Sequence, residues 1–308
     1  MEFFNYNEHP LAEEEIEALF KAAFNRKMDT DYWGSNYWEW RFKNNPSYDK
    51  KYICYAREGD LLVAYYAVSP VSFMVDNVQI DMALSMMTMT HPDFSGRRLF
   101  RRLAAQVYQN LKDDGFYGVY GFANVNSHYN LRKYLNWQDL NYMLNLQYAS
   151  GIAKNSAVTY QHKKISAAEI TQIAADFKSL KITNQKSAEF LKWRLIDNPV
   201  NDYYVYQAQG GTWIIYKAYK DLELDIVDYI GPEEAYFEDF KEFTQELGQL
   251  FDINIWVNWY TNLHLELEKL RYKPSRFNSY FGFVPLNSGP EALHYKNWRI
   301  TMLDSDIF

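Results

Sequence analysis

Four arginines follow a glycine in the run Gly96, Arg97, Arg98, Leu99, Phe100, Arg101, Arg102, at the opening of a stretch with helical periodicity. A helix N-terminus carries about half a positive charge and several unpaired N–H groups, so it favours acids and disfavours bases. Arginines in its first two turns, in a chain of formal net charge -7, make sense if an anion rests there. Upstream, Leu84 to Thr90 reads as a buried strand and His91 to Ser95 as a turn. Strand, glycine turn, then helix is how a backbone cradles a phosphate. The segment reads as a phosphate site.

The elements that must position this site occur twice. Trp40, Arg41, Asn45 and Pro46 recur at one constant offset as Trp193, Arg194, Asn198 and Pro199. Each set follows a helical stretch and precedes an aromatic β run, 51–56 or 203–208. Each run then meets a turn at Gly59 or at Gly210 and Gly211, and a second strand follows, 61–66 or 213–216. Shared order around a shared motif predicts an internal duplication. In the first copy helices are expected over 11–26, 35–44, 96–112 and 127–135, with strands over 78–90, 116–123 and 138–149. Leu99, Phe100, Leu103, Ala104, Val107 and Leu111 form the apolar face of the third helix. In the second copy helices are expected over 167–179, 186–196, 233–250 and 263–270. Its strands are expected over 203–208, 212–218, 222–230, 253–258 and 277–283. Residues 150–166 read as the linker, and 289–308 are left unassigned. The domains predicted are 1–150 and 160–308.

The duplication contains its own control. The counterpart helix opens on Gly231, Pro232, Glu233 and Glu234, which suits an unliganded N-terminus and repels a phosphate. One anion site per chain is expected, in the first copy.

Composition narrows the class. With 32 basic against 39 acidic side chains and no long basic tract, nucleic acid is not the expected partner. Cys54 is the single cysteine, so no intrachain disulfide forms and a reducing compartment is expected. The N-terminal residues lack a secretory pattern, and no apolar run has the length of a membrane span. The expectation is a cytoplasmic protein with no membrane partner. Its six histidines show no metal-ligand spacing, so no metal is expected.

The element order, with His91–Arg98, Gly121–Tyr129 and Lys133–Trp137, resembles the GNAT (Gcn5-related N-acyltransferase) superfamily, present as a tandem pair. The resemblance covers 1–150 well and 160–285 more weakly. It implies an α/β (α+β) fold of two tandem GNAT-like domains, each a mixed, mainly antiparallel sheet flanked by helices. Three departures stand out. Asp93 and Arg98 replace residues usual in the pyrophosphate loop, and Asn136-Trp137 stands where Gly-Phe is common.

What the resemblance implies is an acyl-CoA-dependent N-acyltransferase acting on a primary amine. Acetyl-CoA or another acyl-CoA would be the cosubstrate, held by Met87, Thr88, Met89, Thr90, Ser95, Gly96, Arg97, Arg98, Leu99, Phe100 and Asn126. Tyr134 and Tyr129 are the candidate acids; His128, Asp81 and His91 are the candidate proton acceptors. Each also has a structural reading: tyrosines as packing, and Asn126 and Ser127 as helix N-caps. The Trp-Arg segments are assigned to packing. Tandem proteins of this size resemble enzymes acylating nucleotide-linked amino sugars, with a homodimer a possible assembly. The alternatives are a Fem-like aminoacyl or peptidyl transferase and a non-catalytic acyl-CoA-binding protein.

Overall fold

The computed structural model describes residues 1–24, 36–46, 50–75, 78–151, 160–178, 182–220, 222–258, 262–275, 279–288 and 298–306. The chain divides into two compact units, and neither is contiguous. The first comprises Met1–Phe73, Val78–Leu140 and Phe281–Pro290; the second comprises Met74–Asn77, Asn141–Tyr280 and Glu291–Phe308.

In the first unit β1 (Glu2–Asn5), β2 (Tyr52–Glu58), β3 (Leu61–Val75), β4 (Val78–Thr90) and β5 (Gly118–Ala123) lie side by side in that order. β1, β2 and β3 run antiparallel, whereas β4 and β5 are parallel. Helix α1 (Glu13–Ala23) begins with Glu13, Glu14 and Glu15, the charges its positive end favours. The predicted helix over 35–44 ends in a single π-turn, Glu39–Lys43, where the Asn44 N–H reaches back to Glu39 O at 3.0 Å. Helix α2 (Leu99–Asp113) buries Leu99, Leu103, Ala104, Val107 and Leu111. Each leucine or valine among them contributes roughly 1.5–3 kcal/mol when fully buried. Helix α3 (Val125–Leu135) leads into β6 (Gln138–Tyr148).

The second unit has a similar but not identical order. Helix α4 (Ala167–Asp176), β7 (Thr183–Asn184) and α5 (Ala188–Leu191) lead into another π-turn, Lys192–Ile196, closed by the Asp197 N–H on Lys192 O at 3.0 Å. Then come β8 (Tyr204–Gln207), β9 (Trp213–Ala218), β10 (Glu223–Ile230), α6 (Tyr236–Leu247), β11 (Asp252–Asn258), α7 (Leu263–Lys269), β12 (Lys273–Pro274) and β13 (Ser279–Pro285). β8, β9 and β10 are antiparallel and β10 with β11 parallel. Trp40 with Arg41, and Trp193 with Arg194, are buried in the two π-turns. The core of this unit is aliphatic and aromatic, including Ile214, Leu224, Phe240, Phe243 and Ile255.

The closing strands differ from a contiguous division at residue 150. β6 pairs antiparallel with β11, Leu146 opposite Ile255, and so completes the second unit. β13 lies beside β5, and from Phe281 onward belongs to the first unit. There Phe283 stacks on Tyr117 at 5.6 Å, and the Leu286 N–H donates to Tyr117 O at 2.9 Å. Most of the predicted linker, 152–159, lies outside the described residues. Of the unassigned tail, 298–306 is described, and Trp298 through Leu303 is nearly all buried.

Candidate functional site

β4 and β5 hold together over only three residue pairs, Met82 with Gly118 through Leu84 with Tyr120. β4 then runs on to Thr90, while β5 ends at Ala123 and turns into α3. The strands therefore open into a fork whose vertex is Ser85 and Gly121. Along its β4 side burial alternates: Met86 and Met89 are buried, Met87 and Thr90 half-buried, Thr88 exposed. The turn into α3 is capped by Asn124, whose Oδ1 accepts the Ser127 N–H at 3.0 Å and whose carbonyl accepts the His128 N–H at 2.9 Å. This corrects the expectation for Asn126 and Ser127, which fall inside the helix. The Asn126 side chain lies outside the described residues.

At the mouth of the fork β4 passes into the arginine loop. His91 N–H donates to Val63 O at 2.8 Å, fixing the loop to β3, and Pro92–Phe94 form a 3-10 turn. Gly96 has φ 77 and Arg98 φ 62, both in the left-handed region. The helix expected from Gly96 accordingly starts at Leu99, with Arg98 as its N-cap. Alternating handedness around Arg97 turns successive N–H groups to one side, a concavity suited to anions. Among the described residues, the N–H groups of Gly96, Arg97 and Arg98 donate to no backbone carbonyl. Ser95 to Arg98 are exposed, and no acid occupies the first turn of α2.

The four arginines have different surroundings. Arg102 lies over the Phe3 ring at 3.7 Å. Arg101 lies over Tyr134 at 3.0 Å and donates to Asn130 Oδ1 at 3.3 Å. Arg97 stacks on Phe94 at 4.5 Å. Among the described residues nothing engages the Arg98 guanidinium. Arg97 and Arg98 are thus the pair exposed on the loop, and Arg101 and Arg102 tie the helix start to its neighbours.

Helix α3 carries the candidate acids. Tyr129 and Tyr134 are both exposed, their rings 6.2 Å apart in an edge contact. The Arg101 guanidinium, with Lys133, holds the Tyr134 hydroxyl below the ordinary tyrosine range. His128 Nε2 lies 2.8 Å from Asp139 Oδ1, and Arg132 pairs with the other oxygen of that carboxylate at 3.0 Å. Asp81 lies at the closed end of the fork, where its carbonyl accepts the Tyr117 N–H at 2.8 Å. His91 Nδ1 accepts the Asp93 N–H at 3.3 Å. The structure therefore gathers Met87 through Phe100 around one opening. It sets Asp81 apart and faces Tyr129 outward.

The second unit has a similar fork. β10 and β11 pair from Glu223 with Asp252 to Ile226 with Ile255, then continue to Ile230 and Asn258 without pairing to each other. Here the C-terminal tail takes the groups at the opening. The Asn258 side-chain amide donates to Trp298 O at 2.9 Å, and the Arg299 guanidinium donates to Tyr229 O. Lys186 Nζ lies 2.8 Å from Asp304 Oδ1 and 3.1 Å from Asp228 Oδ2, all three buried. Arg194 donates to Ser305 O at 2.9 Å. The helix that follows, α6, is preceded by Glu233 and Glu234 and carries Glu238 and Asp239 in its first turn. No local pattern in the sequence announces the tail, because its partners are far away along the chain.

Residues 10–137 match the family model described as acetyltransferase (GNAT) domain. No curated protein matches the sequence. Among solved structures, a probable N-acyltransferase from Enterococcus faecalis V583 is similar over 92% of this chain and 72% of its own, at 13% identity and a TM-score of 0.66. A GCN5-related N-acetyltransferase from Anabaena variabilis is similar over 93% and 73%, at 10% identity and TM-score 0.65. An N-myristoyltransferase from Saccharomyces cerevisiae, solved with bound myristoyl-CoA, is similar over 92% and 77%, at 13% identity and TM-score 0.62. The fold is GNAT-like, and these neighbours share it across most of the chain.

Proposed function

We propose that the protein is an acyl-CoA-dependent N-acyltransferase whose donor site is the fork of the first unit. The observation that carries this reading is a single continuous strand, β4. It forms one side of an opening and then delivers the chain into a loop with left-handed residues, unpaired N–H groups and two exposed arginines. The match of residues 10–137 to the GNAT model supports it. The pyrophosphate is held over Gly96–Phe100, with Ser95 at the edge of the loop, and the pantetheine arm lies along Met87–Thr90. Backbone N–H groups of β4 polarise the thioester carbonyl, where charge develops as the amine attacks. Tyr134, lowered by Arg101, is the preferred acid, with Tyr129 and His128 beside it on α3.

The second unit is read as a duplicated GNAT-like copy without a cosubstrate. The paired π-turns support the duplication, and the tail across the second fork together with the acids near α6 supports the loss of a donor site. A nucleotide-linked amino sugar is the acceptor class taken from the resemblance. The reading is tested by thioester cleavage with free-thiol detection across a panel of amines. Amine-dependent thiol release is expected. Binding of acyl-CoA without release under any amine would favour the non-catalytic alternative, and turnover with aminoacyl-tRNA alone the Fem-like one.

A further inference from the structure

At the vertex of the first fork four polar side chains form a chain of hydrogen bonds with a direction. The Trp137 indole N–H donates to Tyr108 Oη at 3.0 Å, Tyr108 Oη lies 3.3 Å from Tyr66 Oη, and Tyr66 Oη lies 2.8 Å from Ser85 Oγ. An indole nitrogen can only donate, whereas each hydroxyl has one proton to give. Tyr108 therefore accepts from Trp137 and donates to Tyr66, and Tyr66 donates to Ser85. The opposite order leaves the buried Tyr108 proton without an acceptor, and such orphaned donors are disfavoured. Trp137, Tyr108 and Tyr66 are buried, but Ser85 is half-buried, and it sits one residue beyond the last β4–β5 pair. One of its two lone pairs is taken by Tyr66, and its own proton is the end of the chain, free to point outward.

We infer that Ser85 donates its hydroxyl hydrogen bond to the thioester sulfur of the bound acyl-CoA, and that Tyr66, Tyr108 and Trp137 are positioning residues that orient it. The inference rests on the donor site proposed above. Distance along the strand agrees. From Thr90, next to the phosphate loop, to Ser85 is roughly 17 Å of extended backbone, the reach of an extended pantetheine arm. Across the vertex Gly121 approaches closely: a Cβ there would lie 3.3 Å from the Ser85 Cβ and 3.2 Å from the Trp137 ring, so a side chain at 121 would crowd the serine. In the transfer the acceptor nitrogen forms the amide bond to the acyl carbon and the C–S bond breaks with its electron pair on sulfur. The surplus proton of the nitrogen ends on that sulfur as the thiol of CoA. Ser85 keeps its proton throughout and steadies the departing sulfur. Hydrogen bonds to charged groups are the stronger kind, so the contact counts most as the thiolate forms.

The test uses the full chain with CoA and desulfo-CoA as probes, titrated at pH 9, where more of the thiol is ionised. Wild type should bind CoA about tenfold tighter than desulfo-CoA. Ser85→Ala should erase that preference while binding desulfo-CoA as wild type does. With acetyl-CoA and an active amine, Ser85→Ala should lower kcat about tenfold or more with KM for acetyl-CoA little changed. Tyr66→Phe, which removes the orienting proton but keeps the ring, should lower kcat by a smaller factor. A Ser85→Ala protein that keeps both the preference and kcat overturns the inference and leaves the donor site standing. If wild type binds neither probe, the donor site itself is wrong, and this role for Ser85 falls with it.

Discussion

Arg98 adopts a conformation that glycine reaches without cost, φ 62, and its guanidinium engages no described neighbour. The left-handed region costs an ordinary residue roughly 1–2 kcal/mol, so the arginine works against stability there. Arg98→Gly should therefore raise the melting temperature slightly and weaken CoA binding. Losing one charge-assisted contact is expected to cost on the order of 1.5–3 kcal/mol of affinity. Thermal melts beside calorimetric titrations check both signs, and a variant that loses stability and keeps affinity would contradict the role. Cys54 makes the opposite case. Burial on β2 pushes its thiol up to about 12, so at pH 8 it should resist alkylation until the protein unfolds. Rapid native labelling followed by mass spectrometry would disprove that. The arginine run was legible because side-chain type and spacing suffice to suggest an anion. The late start of α2 was not, since the sign of φ at Arg98 is decided by the loop. Nor does spacing reveal that Arg101 covers Tyr134 and leaves Arg97 and Arg98 as the exposed pair.

Strand periodicity announces strands but not their partners, because alternation says which side chains share a face and nothing about which edge is adjacent. β6 and β13 were each readable as extended segments, yet β6 completes the second unit beside β11 and β13 lies beside β5. Gly118 marks how closely β13 approaches. A Cβ there would meet the Phe283 ring and lie 2.6 Å from Val284 O. Gly118→Ala should destabilise the protein by about 1–3 kcal/mol, as overpacking does. Denaturant unfolding measures this, and an unchanged midpoint would show that β13 is held loosely. A chain ending at residue 150 lacks the 281–290 segment that belongs to the first unit. It should stay unfolded alone and recover structure when 151–308 is supplied in trans. A well-dispersed NMR spectrum of 1–150 by itself would refute the exchange as a folding requirement.

Across the molecule, two forks of similar build differ in what meets them. In the second unit Asn258, Arg299, Lys186 and Arg194 join the tail to the strands and the π-turn. Removing one partner of a buried ion pair strands the other, at a cost of about 3–5 kcal/mol. Lys186→Ala, which leaves the buried Asp228 and Asp304 carboxylates without their shared cation, should thus destabilise strongly, as chemical denaturation would register, while an exposed pair such as Lys192 with Asp197 should be nearly silent on removal. The paired π-turns were announced by Trp40 and Trp193, whereas the tail was not, since Lys186 and Asp304 are distant in sequence and share no motif. The central claim is that one donor site exists per chain and that it is the fork leading into the arginine loop. Calorimetric titration of acetyl-CoA into the wild-type chain and into the Arg97→Glu, Arg98→Glu double variant tests it most directly. The account predicts one site per chain in the wild type, with affinity lowered at least a hundredfold in the variant. Two sites per chain, or an affinity unmoved by reversing both charges, would contradict it.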